Sequence, residues 1–209
     1  MYSIQAVTDK TPESLALLLN MFAKIFPEET RYTDHLRECA RWARVGGRYR
    51  LWLFLEDGQP IGFRSFSYLE KFNFGLSAYV GFTKEARGHR HARHFQQMVL
   101  DELMRAAAPR RPIGLVGEMP RGTNEANRTR IAIFEHLGAI ILPLDYIEPG
   151  GLRNMPGAIE DKPALLYLIP LIEYHADLLP VIVQGVYEEG YRLPPDHPYI
   201  QRLLVKSEG

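Results

Sequence analysis

The hydrophobic period changes at Tyr49, and that change limits the folds open to this chain. Upstream, apolar residues recur at helical spacing. From Tyr49 onward they run as Tyr49–Leu55, Ile61–Leu69 and Leu76–Phe82, three stretches rich in aromatic and aliphatic side chains. Asp57-Gly58-Gln59-Pro60 separates the first two as a hairpin turn would, and a second break falls near Asn73. Three consecutive strands joined by tight turns predict an antiparallel meander. A sheet of this kind needs its apolar faces covered, and the flanking sequence supplies the covers. Tyr2–Val7 reads as a first strand. Thr11-Pro12-Glu13 reads as a helix start, with a capping hydroxyl, a proline in the first turn and an acid near the positive helix end. Leu15, Leu18, Leu19, Phe22 and Phe26 continue at helical spacing until Pro27 stops the helix. A second helix is expected over Thr33–Arg44, with Leu36, Cys39, Ala40 and Ala43 inward and Gly46–Gly47 ending it.

Beyond the meander, strand Leu76–Phe82, loop Thr83–Arg90 and helix His91–Leu103 form one unit. Lys84, Arg87, His89, Arg90 and His91 crowd the junction, with Arg93 and His94 directly after. A helix N-terminus offers unpaired N–H groups and the positive end of a dipole, and basic side chains add charge-assisted contacts. An anion site is therefore expected here; the alternative is a solvated basic helix start. No GxGxxG and no GxxxxGK[ST] occurs, which disfavours a dinucleotide fold or a P-loop hydrolase. Ile113–Met119 reads as a short buried strand, and Asn127–Leu137 as a helix ending at Gly138. Ala139–Ile147 and Ala164–Leu171 read as two more strands around a Gly/Pro-rich loop, Glu148–Pro163, and Leu178–Glu189 as a last helix. The fold class expected is α/β, with a mixed, mostly antiparallel central sheet flanked by helices on both faces.

Composition narrows the partners. The chain has 209 residues, 46% of them hydrophobic, enough for one sizeable core, and a single domain is expected over 1–209 with 171–209 as a C-terminal helical extension. Lys+Arg and Asp+Glu both number 25, so no global charge draws the chain to nucleic acid or to a membrane surface. The single cysteine, Cys39, cannot form an internal disulfide and sits on an apolar helix face, so it reads as core. No apolar run is long enough to span a bilayer and no signal peptide is evident, so the expectation is a soluble, cytoplasmic protein. His89, His91 and His94 lie close together, but without HExxH or a completing Cys or carboxylate, so no metal is expected. A homodimer stays open, because the sequence does not fix the oligomeric state.

The order of these elements, with two motifs, resembles the GNAT acyltransferases. Their pyrophosphate loop reads Arg/Gln-x-x-Gly-x-Gly/Ala; Arg87-Gly88-His89-Arg90-His91-Ala92 fits its first and last positions, with Arg90 in place of the central glycine. Asn127, Phe134, Leu137 and Gly138 match the family's later helix, with Ala139 where an aromatic is usual. Asp57-Gly58-Gln59-Pro60-Ile61-Gly62 resembles the hairpin of the family's second and third strands. The resemblance covers roughly residues 2–170 and implies the GNAT fold, acetyl-CoA as co-substrate, and a small-molecule amine or peptide as acceptor. It implies that backbone groups of Val80–Thr83, with Phe82 at the family's aliphatic position, bind the pantetheine arm by strand-like addition. The amides of Gly88, His89, Arg90, His91 and Ala92 would bind the pyrophosphate, with Arg87 or Arg90 neutralising it. Asn127 would contact the arm or hold the loop beside it.

The implied reaction is attack of a neutral amine on a thioester, so a base or water relay must take a proton and an acid can return one to the thiolate. Many family members use a tyrosine as that acid where this chain has Phe134; Tyr146 and Tyr79 are the candidates to replace it, each also readable as a core or rim aromatic. Glu118 is the candidate base, because an acid at the end of a short apolar strand faces either a pocket or solvent. Glu28 and Glu29, between the first two helices, lie where family members often bind the acceptor; the alternative is a solvated connection. A second function also stays open, a GNAT-fold module that binds acyl-CoA without turnover, since the loop glycine and the helix tyrosine are both replaced.

Overall fold

The computed structural model describes residues 1–43, 48–150 and 160–206. The chain forms two compact units, Met1–Tyr68 with Ser77–Val99, and Leu69–Leu76 with Leu100–Gly209. Its fold class is α/β, built on a mixed, mostly antiparallel sheet with helices, as the sequence implies.

In the first unit the strands run in the order β1 (Tyr2–Ala6), β2 (Tyr49–Glu56), β3 (Gln59–Leu69), β4 (Phe74–Phe82). β1 pairs antiparallel with β2, Tyr2 opposite Glu56. β2 pairs antiparallel with β3, Glu56 opposite Gln59, which leaves Asp57-Gly58 as a two-residue turn. Both turn residues have positive φ, 50° and 79°, the conformation that an Asp-Gly hairpin turn requires. Alternation along β2 sends Leu51 and Leu53 to one face and Trp52 and Phe54 to the other. On the first face, helices α1 (Pro12–Ile25) and α2 (Thr33–Trp42) bury Leu18, Phe22, Leu36 and Ala40 against Leu51, Leu53 and Phe63. On the second, Phe54 stacks on Phe95 of α3 (His89–Ala107), centroids 4.1 Å apart. A buried polar group lies within this unit: Arg64 Nη1 donates to Gln96 Oε1 at 2.8 Å, and its Nε and Nη2 donate to Ser77 Oγ at 3.2 Å each.

In the second unit the order is β5 (Gly114–Pro120), β8 (Lys162–Pro170), β6 (Ile140–Ile141), with β7 (Ile147–Glu148) also on β8, and each of these pairings is antiparallel. Val116, Leu166 and Leu168 pack with Phe74, Tyr146, Ile182, Val186 and Tyr187 in one core. α4 (Glu125–His136), α5 (Leu178–Gly185) and α6 (Pro198–Lys206) complete it.

Several expectations change in detail. Thr11 precedes α1, but its hydroxyl makes no cap; it donates to Thr8 O at 3.0 Å and accepts from Thr8 N at 2.9 Å, so a local turn takes the group expected on the helix. α2 ends at Trp42, and the expected terminator Gly46–Gly47 lies outside the described residues. α3 starts at His89, two residues before expectation, after a short 3-10 turn at Lys84–Ala86. α4 is capped by Asn124, whose Oδ1 accepts from Asn127 N at 2.8 Å, so Asn127 lies in the first turn and does not open the helix. The expected strand Ala139–Ile147 is broken in two. Pro143 has no N–H to give the ladder, and Leu144 N donates back to Leu142 O at 2.9 Å in a three-residue turn. The expected loop Glu148–Pro163 begins and ends in strand, and its residues 151–159 lie outside the described residues. The last expected helix, Leu178–Glu189, is α5 continued by a π-turn at Val186–Gly190, and α6 falls in the expected helical extension 171–209, though the sequence does not single it out as a helix.

Candidate active site

The second unit brings together two residues that the sequence singles out separately. β5 carries Glu118 opposite Leu166 of β8, and Tyr146 comes after the Pro143 break, its carbonyl accepting from Ala164 N at 3.1 Å, also on β8. The two side chains meet, and Tyr146 Oη donates to Glu118 Oε1. Tyr146 is fully buried, whereas Glu118 is partly buried. A third group escapes sequence reasoning: Tyr191, just past the π-turn, reaches the same carboxylate, its Oη 2.9 Å from Oε1 and 2.8 Å from Oε2. Tyr187 stacks on Tyr146 at 5.3 Å, and its hydroxyl donates to Ile147 O at 2.8 Å. Tyr191 lies beyond the last helix expected from the sequence, Leu178–Glu189, and the π-turn that delivers it breaks the helical spacing that could have marked it.

The electrostatics result from that packing. Burial first, then the nearby Glu148 carboxylate, push the Glu118 carboxyl up to about 7, against the opposing pull of hydrogen bonds from Tyr146 and Tyr191. Burial first, and then the charge of Glu118, hold both phenols well above their ordinary range, so they stay protonated and remain donors. A carboxyl that titrates near neutral pH can both accept and release a proton.

The first unit holds the expected cofactor loop. Just past β4, Thr83 N donates to Ile61 O of β3 at 2.9 Å, so alternation turns the main-chain groups of Val80 and Phe82 away from β3. The Phe82 ring stacks on Phe54 at 5.7 Å. Arg87 and Gly88 are exposed, and the space where a Cβ on Gly88 would lie has no atom within 4 Å. Arg90, at the family's glycine position, lies in the first turn of α3 and is absent from the residues with positive φ, so its backbone needs none of glycine's freedom. Its guanidinium sits 5.8 Å from the Tyr2 ring, which His91 and His94 also flank. The His89 side chain lies outside the described residues. An exposed, glycine-led loop running into a 19-residue helix fits a pyrophosphate in backbone and in charge.

Each remaining candidate has contacts of its own. Glu28 and Glu29 lie in a 3-10 turn, Pro27–Tyr32, where Glu29 pairs with Arg31 at 3.3 Å. Tyr79 packs with Phe22, Phe26 and Tyr32 in the first unit. In the second unit Asn127 is buried, and its Oδ1 accepts from Arg130 at 3.0 Å. Phe134 packs on Tyr167 at 4.4 Å. Cys39 is buried, and burial pushes its thiol up to about 12. Among the described residues no group of three or more His, Cys, Asp or Glu could hold a metal ion, and no helix is long and apolar enough to cross a membrane.

Comparison with solved structures identifies the fold these elements make. A Bacteroides thetaiotaomicron protein assigned to the GNAT family of acetyltransferases matches with a TM-score of 0.68 at 18% identity, over 92% of this chain and 99% of that one. The aminoglycoside 6'-N-acetyltransferase from Enterococcus faecium matches at 0.57 and 12% identity, over 83% of this chain and 99% of that one. The ribosomal-protein-S18-alanine N-acetyltransferase from Escherichia coli matches at 0.56 and 16%, over 84% and 97%. The chain has the fold of the GNAT acetyltransferases. No protein-family model matches the sequence, and no curated protein does.

Proposed function

We propose that this protein is an acetyl-CoA-dependent N-acetyltransferase in which Glu118 is the base for an acceptor amine. The observation that carries the proposal is the Glu118 carboxyl, held by two tyrosine hydroxyls and titrating at about 7. The fold supports the reaction class, since the solved structures it resembles are named as acetyltransferases.

Acetyl-CoA, when bound, supplies the thioester that the amine attacks. Main-chain groups of Val80 and Phe82, with the amides of Gly88, His89, Arg90 and His91, are the groups proposed to bind it, and Arg87 to neutralise its phosphates. Thr83 and Ala92 drop out, because Thr83 N donates to Ile61 O, Thr83 O accepts from Ala86 N, and Ala92 N donates to Gly88 O. Asn127 has the cofactor-side role that the family resemblance assigns it, Phe134, at the position of the family's tyrosine, is proposed as a cofactor contact without an acidic proton, and Glu28 and Glu29 remain proposed acceptor contacts. Glu118, as the carboxylate, takes a proton from the acceptor's ammonium group and so leaves a neutral amine to attack the thioester. Tyr146 cannot do this: it is protonated, and its hydroxyl already donates to Glu118. Its proposed part is to orient the carboxylate and, with Glu118, to hold the proton later returned to the leaving sulfur.

Thiol release from acetyl-CoA over a panel of small amines and peptide N-termini tests the proposal. Turnover should fall by about 10²-fold or more in Glu118→Gln, and the loss should shrink at high pH, where more free amine exists. CoA binding without thiol release for any amine would favour a binding module instead.

A further inference from the structure

We infer that Tyr191 is a positioning residue that holds the Glu118 carboxyl in place and favours its carboxylate form, and that the π-turn before it exists to deliver it. This rests on Glu118 being the base proposed above.

Three observations converge on Tyr191. The first is the contact: its hydroxyl straddles both carboxylate oxygens, at 2.9 and 2.8 Å, while Tyr146 serves only Oε1. The second is the backbone that leads to it. α5 gives way at Val186 to a π-turn, in which Tyr191 N donates to Val186 O at 3.1 Å, and Leu193 N donates to Tyr187 O at 2.9 Å. One extra residue in a helical turn rotates every later side chain by roughly 100°, and single π-turns gather at functional sites for that reason. The third is Arg192, which takes φ of +57°, a left-handed conformation that non-glycine residues seldom adopt. A left-handed residue in this position ends the helical turn, so Tyr191 stands at a fixed terminus and its side chain is held where it meets the carboxylate.

The groups facing Glu118 come from three elements. β7 brings Glu148, the segment between β6 and β7 brings Tyr146, and the C-terminal segment brings Tyr187 and Tyr191. Burial and Glu148 oppose ionisation, and the two donated hydrogen bonds favour it. Tyr187 spends its own hydroxyl on Ile147 O, so it cannot replace a lost donor. Tyr191 therefore lowers, alongside Tyr146, the pH at which the base becomes available, in addition to fixing where it points.

The test is the ionisation of Glu118 itself. In protein carrying 13C-carboxyl glutamate, the Glu118 signal is assigned by its loss in Glu118→Gln, and its titration is followed without substrate. Tyr191→Phe, which removes one oxygen and keeps the ring, should move the midpoint upward by about one pH unit. Tyr191→Met, which keeps bulk in another shape, should move it in the same direction. A midpoint unmoved in either variant overturns the inference. In turnover, the acidic limb of kcat/KM should shift upward with it while KM for acetyl-CoA holds; a limb that stays put also overturns it. If Glu118→Gln keeps full activity, the base assignment fails, and the NMR titration still judges what Tyr191 does to Glu118.

Discussion

At Glu118 the same burial that suits a base works against the fold once the carboxyl ionises. Its ordinary value is 4.5 and its folded value about 7, so the native state binds the proton more tightly than the unfolded chain. The favourable contribution is fully present below the unfolded value and is lost as pH rises through the folded one. We expect thermal stability to fall between about pH 5 and 8, by at most on the order of 3 kcal/mol. Glu118→Gln should flatten that slope in melts recorded across the range, and a slope unchanged in the variant would assign it to other groups. One residue away, Gly117 reports on packing. A Cβ there would lie well inside contact distance of the Tyr167 hydroxyl and its ring carbon Cζ. Tyr167 cannot swing freely, because it is buried against Phe134. Gly117→Ala should cost about 1–3 kcal/mol in urea denaturation. Adding Tyr167→Phe should not restore it, since the ring carbon remains too close.

Among the elements, α4 separates two asparagines that the sequence alone blurs. Asn124 supplies the capping oxygen, whereas Asn127 supplies only the backbone N–H that meets it. Asn124→Ala should therefore cost about 1 kcal/mol of stability. Asn127→Ala keeps the cap and should lower CoA affinity in calorimetry more than it lowers stability; unchanged affinity would remove Asn127 from the cofactor site. The contrast also marks how far the sequence is legible. The Asp57-Gly58 hairpin is readable because its two positive φ angles demand those residue types. The helix stop at Gly138 is readable for the same reason, with φ of +88°. The base candidate is readable because a lone acid interrupts the apolar strand around Val116. Tyr191 is not, because its role depends on a π-turn, and a one-residue change of helical pitch leaves no periodic trace. Tyr146 reads as a strand residue, yet it faces Glu118 through the turn that Pro143 imposes, a long-range meeting that spacing cannot reveal.

For the whole molecule, a ligand that binds only the native state must raise its apparent stability. Coenzyme A at 100 times its Kd should add about 2.7 kcal/mol, seen as a higher Tm. No shift at millimolar CoA would count against the proposed function. Arg87 is exposed, so Arg87→Glu should leave the unliganded melt nearly unchanged while weakening CoA roughly tenfold; equal affinity in both proteins would mean that the phosphates bind elsewhere. Another feature of this scale is the broken strand at the sheet edge. In the second unit β6 ends the strand order, and both β6 and β7 are two residues long. A long strand there would offer a row of unpaired donors and acceptors on which a second chain could build. Ile140, 36% exposed, would give that row an apolar side chain. Pro143 removes one donor from the row, and the turn it starts bends the next residues out of line. The kink that carries Tyr146 toward Glu118 thus also interrupts the sheet edge, and Pro143→Val should make light scattering rise more steeply with protein concentration than in the native protein; equal scattering would deny the kink that part.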